Sequence, residues 1–394
     1  MRDDRPPLGR LSVDEFMRRY WQREPLLIRQ ALPGFVAPVP PERLFELAGS
    51  EDAQSRLIAT RRGRWSLRHG PIEPGTMPSR RTPNWTVLVQ GVDALDDDVH
   101  ALMSRFRFVP DARLDDLMIS FATDGGGVGP HQDFYDVFLI QAHGRRRWRV
   151  GPPCDEVLVP GMPVKILAHF APDREWVLEP GDMLYLPPMW AHDGVALGEC
   201  MTYSVGFRTA SRHELLRAFL ADAADAPAPG PDTRYRDPGA RPARHPARMP
   251  SAMLSELGGW LRGWRPDPAR VDDFIGRYIT EPKPNVWFEH PARRSTPQAF
   301  AARIARDGVV IDRRSRLVYR GSRLYFNGES FAMPRGGQRL LRRLADERAL
   351  PSGALAGAPI DPALLELLRT WSDAGWLHPG RARGAHGSRR DQDA

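Results

Sequence analysis

Two hydrophobic periods alternate along this 394-residue chain. In the first hundred residues, helical stripes mix with short extended runs. Ser12-Val-Asp-Glu15 has capping-box spacing with Phe16, Tyr20 and Trp21 behind it, which predicts a short helix. Glu24-Pro-Leu-Leu-Ile28 predicts a strand entering the core, and a second helix is expected from near Pro40, carrying Leu44, Phe45 and Leu47. Arg56–Thr60, Trp65–Arg68 and Trp85–Gln90 read as strands, and Ala94–Phe106 as a helix. From 115 to 208 the pattern shifts to short β segments between turn residues: Asp116–Thr123, Asp136–Ala142, Arg146–Val150, Val164–Leu167, Glu175–Leu178, Asp182–Leu186 and Met201–Phe207. That texture predicts an all-β sandwich, barrel or jelly roll.

Helical periodicity then returns. Ser211-Arg-His-Glu214 is a second capping box, opening a helix through Leu220, and residues 223–249, dense in Ala, Pro, Gly and Arg, read as a linker. Helices are predicted at Ser251–Trp264 and Asp267–Tyr278. Met253, Leu254, Leu257, Trp260 and Leu261 share one face that needs a partner, either the β core or a second subunit. A helix at Pro297–Arg306, three short strands to Phe326, and helices near Gly337–Asp346 and Pro362–Ala374 follow in the order of a winged helix; the residues from Gly380 are expected to be disordered.

Composition narrows the classes. Two cysteines, Cys154 and Cys200, support neither a disulfide framework nor a cysteine-based zinc site, and suit a reducing compartment. No apolar run opens the chain and none reaches about 18 residues, so neither a signal peptide nor a membrane span is expected, and the reading is a soluble cytoplasmic protein. All cations but Lys165 and Lys283 are arginine. Residues 291–394 hold 19 arginines against 10 acids, leaving 37 cations against 39 acids elsewhere, so the basic excess is confined to the last quarter. Such a module could face RNA, but no aromatic-interleaved RNA motif accompanies it. Arg339, Arg342 and Arg343 are followed by Asp346 and Glu347 with no base-reading pattern, so nucleic acid is not expected as the main ligand.

The sharpest local feature is Asp124-Gly-Gly-Gly-Val-Gly-Pro-His131-Gln-Asp133. On a strand, residues i and i+2 share a face, so His131 and Asp133 are expected to project together. They supply two ligands of a 2-His-1-carboxylate set, which leaves open positions on Fe(II). Pro180-Gly-Asp-Met-Leu-Tyr-Leu-Pro-Pro-Met-Trp-Ala-His192 supplies the third, 59 residues beyond Asp133, at a corner fixed by the Pro-Pro bend. The glycine run lacks the Lys and helix of a phosphate loop and is read as a backbone turn beside the site. His143 and His169 have no such context. The same period sets Arg146 and Trp148 on one face with Arg145, Arg147 and Arg149 on the other; it also groups Asp116, Met118 and Ser120, then His131, Asp133 and Tyr135, then Thr202, Ser204 and Gly206.

With these motifs the chain resembles the JmjC-type cupin oxygenases, and more closely the bacterial ribosomal oxygenases that hydroxylate an arginine of large-subunit ribosomal protein uL16. The resemblance also covers Tyr20–Ile28, Ile72–Gln90, Asp115–Phe121, Gly144–Gly151 and Tyr203–Arg208. It implies a mainly β fold with appended helices: a double-stranded β-helix (JmjC jelly roll) with an N-terminal extension over 1–208, a helical dimerisation region over 209–290, a winged-helix-like domain over 291–379 and a tail over 380–394. It implies Fe(II), 2-oxoglutarate and O₂, with His131, Asp133 and His192 as catalytic metal ligands. Arg146 would anchor the 2-oxoglutarate carboxylate and Ser120 add a hydroxyl beside it, while Asp116, Met118, Tyr135 and Ser204 would contact the substrate arginine. The implied reaction is oxidative decarboxylation of 2-oxoglutarate coupled to hydroxylation at Cβ, with uL16 as substrate partner and a homodimer as the working form. Related enzymes hydroxylate a ribosomal histidine or demethylate lysine; the acidic Asp116 with Tyr135 favours arginine. A cupin that had lost its chemistry, leaving a nucleic-acid-binding winged helix, would be expected to lack a ligand, and here the set is intact. One departure is Asp193, directly after the third ligand, where glutamate is expected.

Overall fold

The computed structural model describes residues 5–225, 234–242, 247–355 and 360–380. α1 (Val13–Arg19) begins at its predicted cap, with the Ser12 side chain accepting from the Glu15 N–H. β1 (Leu26–Ile28), α2 (Pro41–Ala48), β2 (Gln54–Arg61), β3 (Arg64–His69), β4 (Trp85–Gln90) and α3 (Asp97–Ser104) follow. β5 (Leu114–Ala122), β6 (Val137–Gly151), β7 (Arg174–Leu178), β8 (Met183–Leu186) and β9 (Ala191–Phe207) complete a nine-stranded antiparallel sheet ordered β1-β8-β6-β9-β5-β4-β2-β3, with β7 beside β6. β6 pairs with β8 over its first half and with β7 over its second, and β9 runs along both halves, giving the jelly roll.

Several predicted boundaries are corrected. Asp136–Ala142 and Arg146–Val150 are one strand: Gly144, read as a turn, has φ +61° at a register shift, so β6 bulges there and continues. Met201–Phe207 is the end of β9, which starts at Ala191. Val164–Leu167 forms no strand, only a single bridge from Leu167 to Leu158. The helix predicted from Ala94 starts at Asp97, because the Asp96 side chain accepts from the Asp98 and Val99 N–H groups and fixes the first turn there.

Strand alternation sorts the barrel. Leu117, Ile119 and Phe121 of β5 join Phe16, Phe138, Ile140, Tyr203, Val205 and Phe207 in one core. Val137, Leu139, Trp148, Val150, Leu178, Leu184 and Leu186 form another. Asp116, Met118 and Ser120 therefore face away from the first core, toward the barrel interior.

α4 (Arg212–Asp225) opens on a reciprocal capping box, Ser211 Oγ accepting from the Glu214 N–H at 3.0 Å and Glu214 Oε2 from the Ser211 N–H at 3.2 Å. It outruns the predicted Leu220. Of the predicted linker, residues 226–233 and 243–246 lie outside the described residues, as does the predicted tail from 381. α5 (Ser251–Gly263) and α6 (Pro268–Thr280) precede α7 (Pro297–Asp307), β10 (Val309–Ile311), β11 (Leu317–Arg320), β12 (Arg323–Phe326), β13 (Glu329–Ala332), α8 (Gln338–Glu347), β14 (Ala349–Leu350), α9 (Ser352–Leu355), α10 (Pro362–Asp373) and β15 (Leu377–Pro379). The three predicted strands split: β10 pairs with β14 and β15, while β11, β12 and β13 form the wing. Phe326 and Trp371 centre this winged-helix core, and among the described residues no helix is long and apolar enough to cross a membrane.

The winged helix docks on α3 through arginines: Arg313 Nη1 lies 2.6 Å from Asp97 Oδ1, and Arg107 Nη1 donates to the Asp346 carbonyl at 2.6 Å. His100 sits in this joint, where burial and then Arg348, Arg313 and Arg107 push its pKa down to about 3. A ring held neutral in the fold stabilises fully above its unfolded value near 6.5 and costs stability as pH falls from there toward 3. The thermal midpoint of the wild type is therefore expected to drop more between pH 7.5 and 4.5 than that of His100→Gln; equal drops would contradict this account.

Candidate metal centre

The first residues of β9 pair with the glycine-rich segment at one point. The His131 N–H donates to the His192 carbonyl at 3.0 Å and the His192 N–H to the His131 carbonyl at 2.8 Å, so the imidazoles stand with ring centroids 4.2 Å apart. Each Nδ1 lies 2.9 Å from a backbone carbonyl two residues earlier, Gly129 for His131 and Trp190 for His192. This assigns the proton to Nδ1 and leaves the Nε2 lone pairs free for a metal. Burial, reinforced by His131, pushes His192 down to about 4, which keeps it in the neutral, ligating form. Asp133 Oδ2 is 3.7 Å from His192 Nε2, and one ligand atom from each of the three residues lies within 4.8 Å of the others. Two imidazole nitrogens and one carboxylate form a set suited to a divalent first-row metal with positions left open.

The route to this geometry differs from the expectation. Only His131 is bridged; residues 132–136 form no strand, and Tyr135 ends 41% exposed. Asp133 is held instead by its carbonyl, which accepts from the Met189 N–H at 2.6 Å, just past the Pro-Pro bend. The glycine run lets the segment lie against β9, since a Cβ at Gly127 would stand 2.6 Å from the Gly194 carbonyl oxygen.

Along β6 the predicted alternation holds. Arg146 and Trp148 are buried, while Arg145 is exposed and Arg147 and Arg149 are half-buried on the other face. Arg146 is 5% exposed; its Nη1 donates to Ser120 Oγ at 3.4 Å, and its Nε and Nη2 are buried with no protein partner. Two unpartnered donors on a buried guanidinium match the fork of a carboxylate. Behind Ser120, Thr202 Oγ1 donates to Gln141 Oε1 at 3.2 Å, extending a buried polar track. Gln141 was missed by sequence reasoning, although a lone amide in Phe-Leu-Ile-Gln-Ala was its signal. Asp193 alternates to the opposite face from His192 and is itself buried, its Oδ2 meeting Arg149 Nη2, its register partner, at 2.6 Å. The departure at this position is met by a cross-strand ion pair, and the Asp193 charge acts on His192 only as the smallest of the influences on its pKa.

Met118 and Ser204 are register partners on β5 and β9, and Ser204 is buried. Asp116 Oδ1 and Tyr135 Cε2 converge on Gly206, each 3.8 Å from where a Cβ there would stand. Asp116 Oδ2 is already paired, 2.9 Å from Lys283 Nζ, a contact nothing in the sequence announced. Nearby Asp93 is pushed up to about 7, first by burial and then by Asp116, against the Leu117 N–H it accepts. His143 is exposed, and so is His169, which pairs with Asp155 at the surface.

The JmjC domain family matches residues 101–215, and the ROXA-like winged helix matches residues 263–378. The chain is 34% identical over 373 residues to the ribosomal protein uL16 3-hydroxylase of Escherichia coli, covering 94% of this chain and 98% of that one. It is 38% identical over 204 residues to a probable ribosomal oxygenase of Haemophilus influenzae, half of each chain. The solved structure of YcfD, a ribosomal oxygenase from Escherichia coli, in complex with cobalt and 2-oxoglutarate superposes with a TM-score of 0.80 at 33% identity, covering 94% of this chain and 98% of that one.

Proposed function

Because the chain belongs to the JmjC-domain ribosomal oxygenases, we propose that it is an Fe(II)- and 2-oxoglutarate-dependent oxygenase hydroxylating Cβ of an arginine in uL16. The observation that carries this reading is the histidine–carboxylate set beside a buried, half-satisfied Arg146, in a chain alike to the uL16 3-hydroxylase over nearly its whole length. When bound, Fe(II), 2-oxoglutarate and O₂ supply the oxidant, yielding succinate, CO₂ and one oxygen atom for a C–H bond.

The protein's own contribution is placement. His131, Asp133 and His192 would hold the metal, with both rings locked by their Nδ1 bonds to the backbone. Arg146 and Ser120 receive the distal carboxylate of 2-oxoglutarate, and Trp148 closes the same face. Asp116, Met118, Tyr135 and Ser204 receive the substrate arginine: a carboxylate for the charge, a thioether and a ring along the methylenes. An acidic pocket of this kind suits a guanidinium better than the imidazole of a ribosomal histidine.

In this reading residues 1–208 carry the chemistry, 209–290 a dimer contact and 291–379 the winged helix. α5 buries none of its residues and leaves Leu254, Trp260 and Leu261 exposed, which supports a homodimer; light scattering is expected to report twice the chain mass. A ribosomal substrate implies a cytoplasmic enzyme. Incubating uL16 with enzyme, Fe(II), 2-oxoglutarate and O₂ is expected to add one oxygen, mapped by fragmentation to arginine. Oxygen on histidine would replace the substrate assignment, and no 2-oxoglutarate turnover by iron-loaded protein would sink the enzyme reading.

A further inference from the structure

Lys283 is one of two lysines in a chain with 54 arginines. It stands between Pro282 and Pro284, just past α6, inside the stretch that the winged-helix family matches. α6 is seated on the wing: Asp272 meets Arg320 at 2.8 Å, Asp273 accepts from Ser330 Oγ at 2.6 Å, and Thr280 Oγ1 accepts from the Gly328 N–H at 3.1 Å. A Cβ on Gly276 would collide with the Tyr325 ring, so helix and strand are in close contact. The winged-helix half therefore determines where Lys283 points, and it points into the catalytic half. Its Nζ lies 2.9 Å from Asp116 Oδ2 and 3.2 Å from Asp115 Oδ1, reaching a residue 167 positions earlier.

Burial alone would lower the ammonium's pKa, but Asp116 and Asp115 outweigh it and hold Lys283 above its ordinary value. Asp115 has a second cation, Arg208 Nε at 2.9 Å, whereas among the described residues Asp116 pairs only with Lys283. The two oxygens of Asp116 face different ways. Oδ2 turns to Lys283, while Oδ1 lies toward Gly206, where the ring of Tyr135 also approaches, and Tyr135 is two residues from the candidate ligand Asp133.

We infer that Lys283 is a positioning residue for the substrate cation: it takes Oδ2 of Asp116 from behind and presents Oδ1, beside Tyr135, as the acceptor for the incoming guanidinium. The inference rests on the function proposed above and adds to it a link between the seating of the winged helix and substrate specificity. The choice of lysine follows from donor geometry. An ammonium is a point donor that one carboxylate oxygen satisfies, whereas a guanidinium is a fork that engages both oxygens and would compete with the substrate for Oδ1. In a chain that otherwise uses arginine, this position uses the cation that leaves an oxygen free.

The test compares wild type, Lys283→Met and Lys283→Arg on an arginine-containing uL16 peptide and its citrulline counterpart. Lys283→Met is expected to raise the peptide KM about tenfold or more, the scale of one hydrogen bond to a charged group, with kcat and the 2-oxoglutarate KM near wild type. Its preference for arginine over citrulline is expected to shrink, and Lys283→Arg is expected not to restore either value. A peptide KM unchanged or lowered in Lys283→Met, a 2-oxoglutarate KM that moves with it, or full rescue by Lys283→Arg would each overturn the inference. Should Lys283→Met fail to fold, the charge-conserving Lys283→Arg decides alone: a raised peptide KM supports the inference and a wild-type one refutes it. A wild-type enzyme that turns over 2-oxoglutarate but leaves the arginine peptide unmodified overturns the functional reading and this inference together, before any variant is compared.

Discussion

Replacing Arg146 by methionine is expected to move affinity and stability in opposite directions. In the unliganded protein the guanidinium is buried with Nε and Nη2 unpartnered, and each such donor costs about 1–3 kcal/mol of desolvation. Methionine fills similar volume without that cost, so the apo protein is expected to melt higher than wild type. Binding of 2-oxoglutarate is expected to weaken by about 3–5 kcal/mol, or roughly 10²- to 10⁴-fold, because the carboxylate would enter a buried site with no cation. Titration calorimetry with a redox-inert divalent metal, with melting curves with and without 2-oxoglutarate, reads both effects. Wild type should gain thermal stability from the ligand and the variant should not. Arg146→Lys should recover part of the affinity, since it restores charge but not the fork. A variant that binds 2-oxoglutarate like wild type would remove Arg146 from the cofactor site.

Asp133→Ala is expected to abolish hydroxylation while sparing the fold. Losing a residue that merely supports a metal ligand typically costs 10–100-fold, so losing a ligand should leave activity below about 1% of wild type. Asp133 lies outside the strands and its backbone bond to Met189 survives the change, so the circular dichroism spectrum should be unaltered. Metal content after desalting separates this from a general effect: wild type should retain close to one equivalent and the variant far less. Full metal retention with lost activity would assign Asp133 another role.

The parts of this site that were legible in the sequence are those governed by local periodicity. The arginine alternation in β6 needs only the two-residue repeat, and the two capping boxes need only a four-residue pattern. What escaped depends on distant partners. Gly144 looks the same in sequence whether the chain turns or bulges, and only the neighbouring β9 decides for the bulge. The proximity of Asp133 to the histidines was foreseen, but the cause was not: a Met189 hydrogen bond, and not a strand face, puts it there. Lys283 between two prolines carries no local signal at all, because its meaning lies in a carboxylate 167 positions away and in the seating of α6 on the wing.

The paired backbone hydrogen bonds between His131 and His192 have a consequence for the metal-stripped protein. Two of the three candidate ligands are joined by the pair of main-chain bonds that forms an isolated bridge onto the start of β9, so the backbone itself sets them side by side. Unlike the ligands of small zinc domains, which only the ion gathers, these two histidines are brought together by the main chain's own hydrogen bonds. Chelation is therefore expected to empty the site without opening the sheet, leaving the circular dichroism spectrum of the stripped protein unchanged.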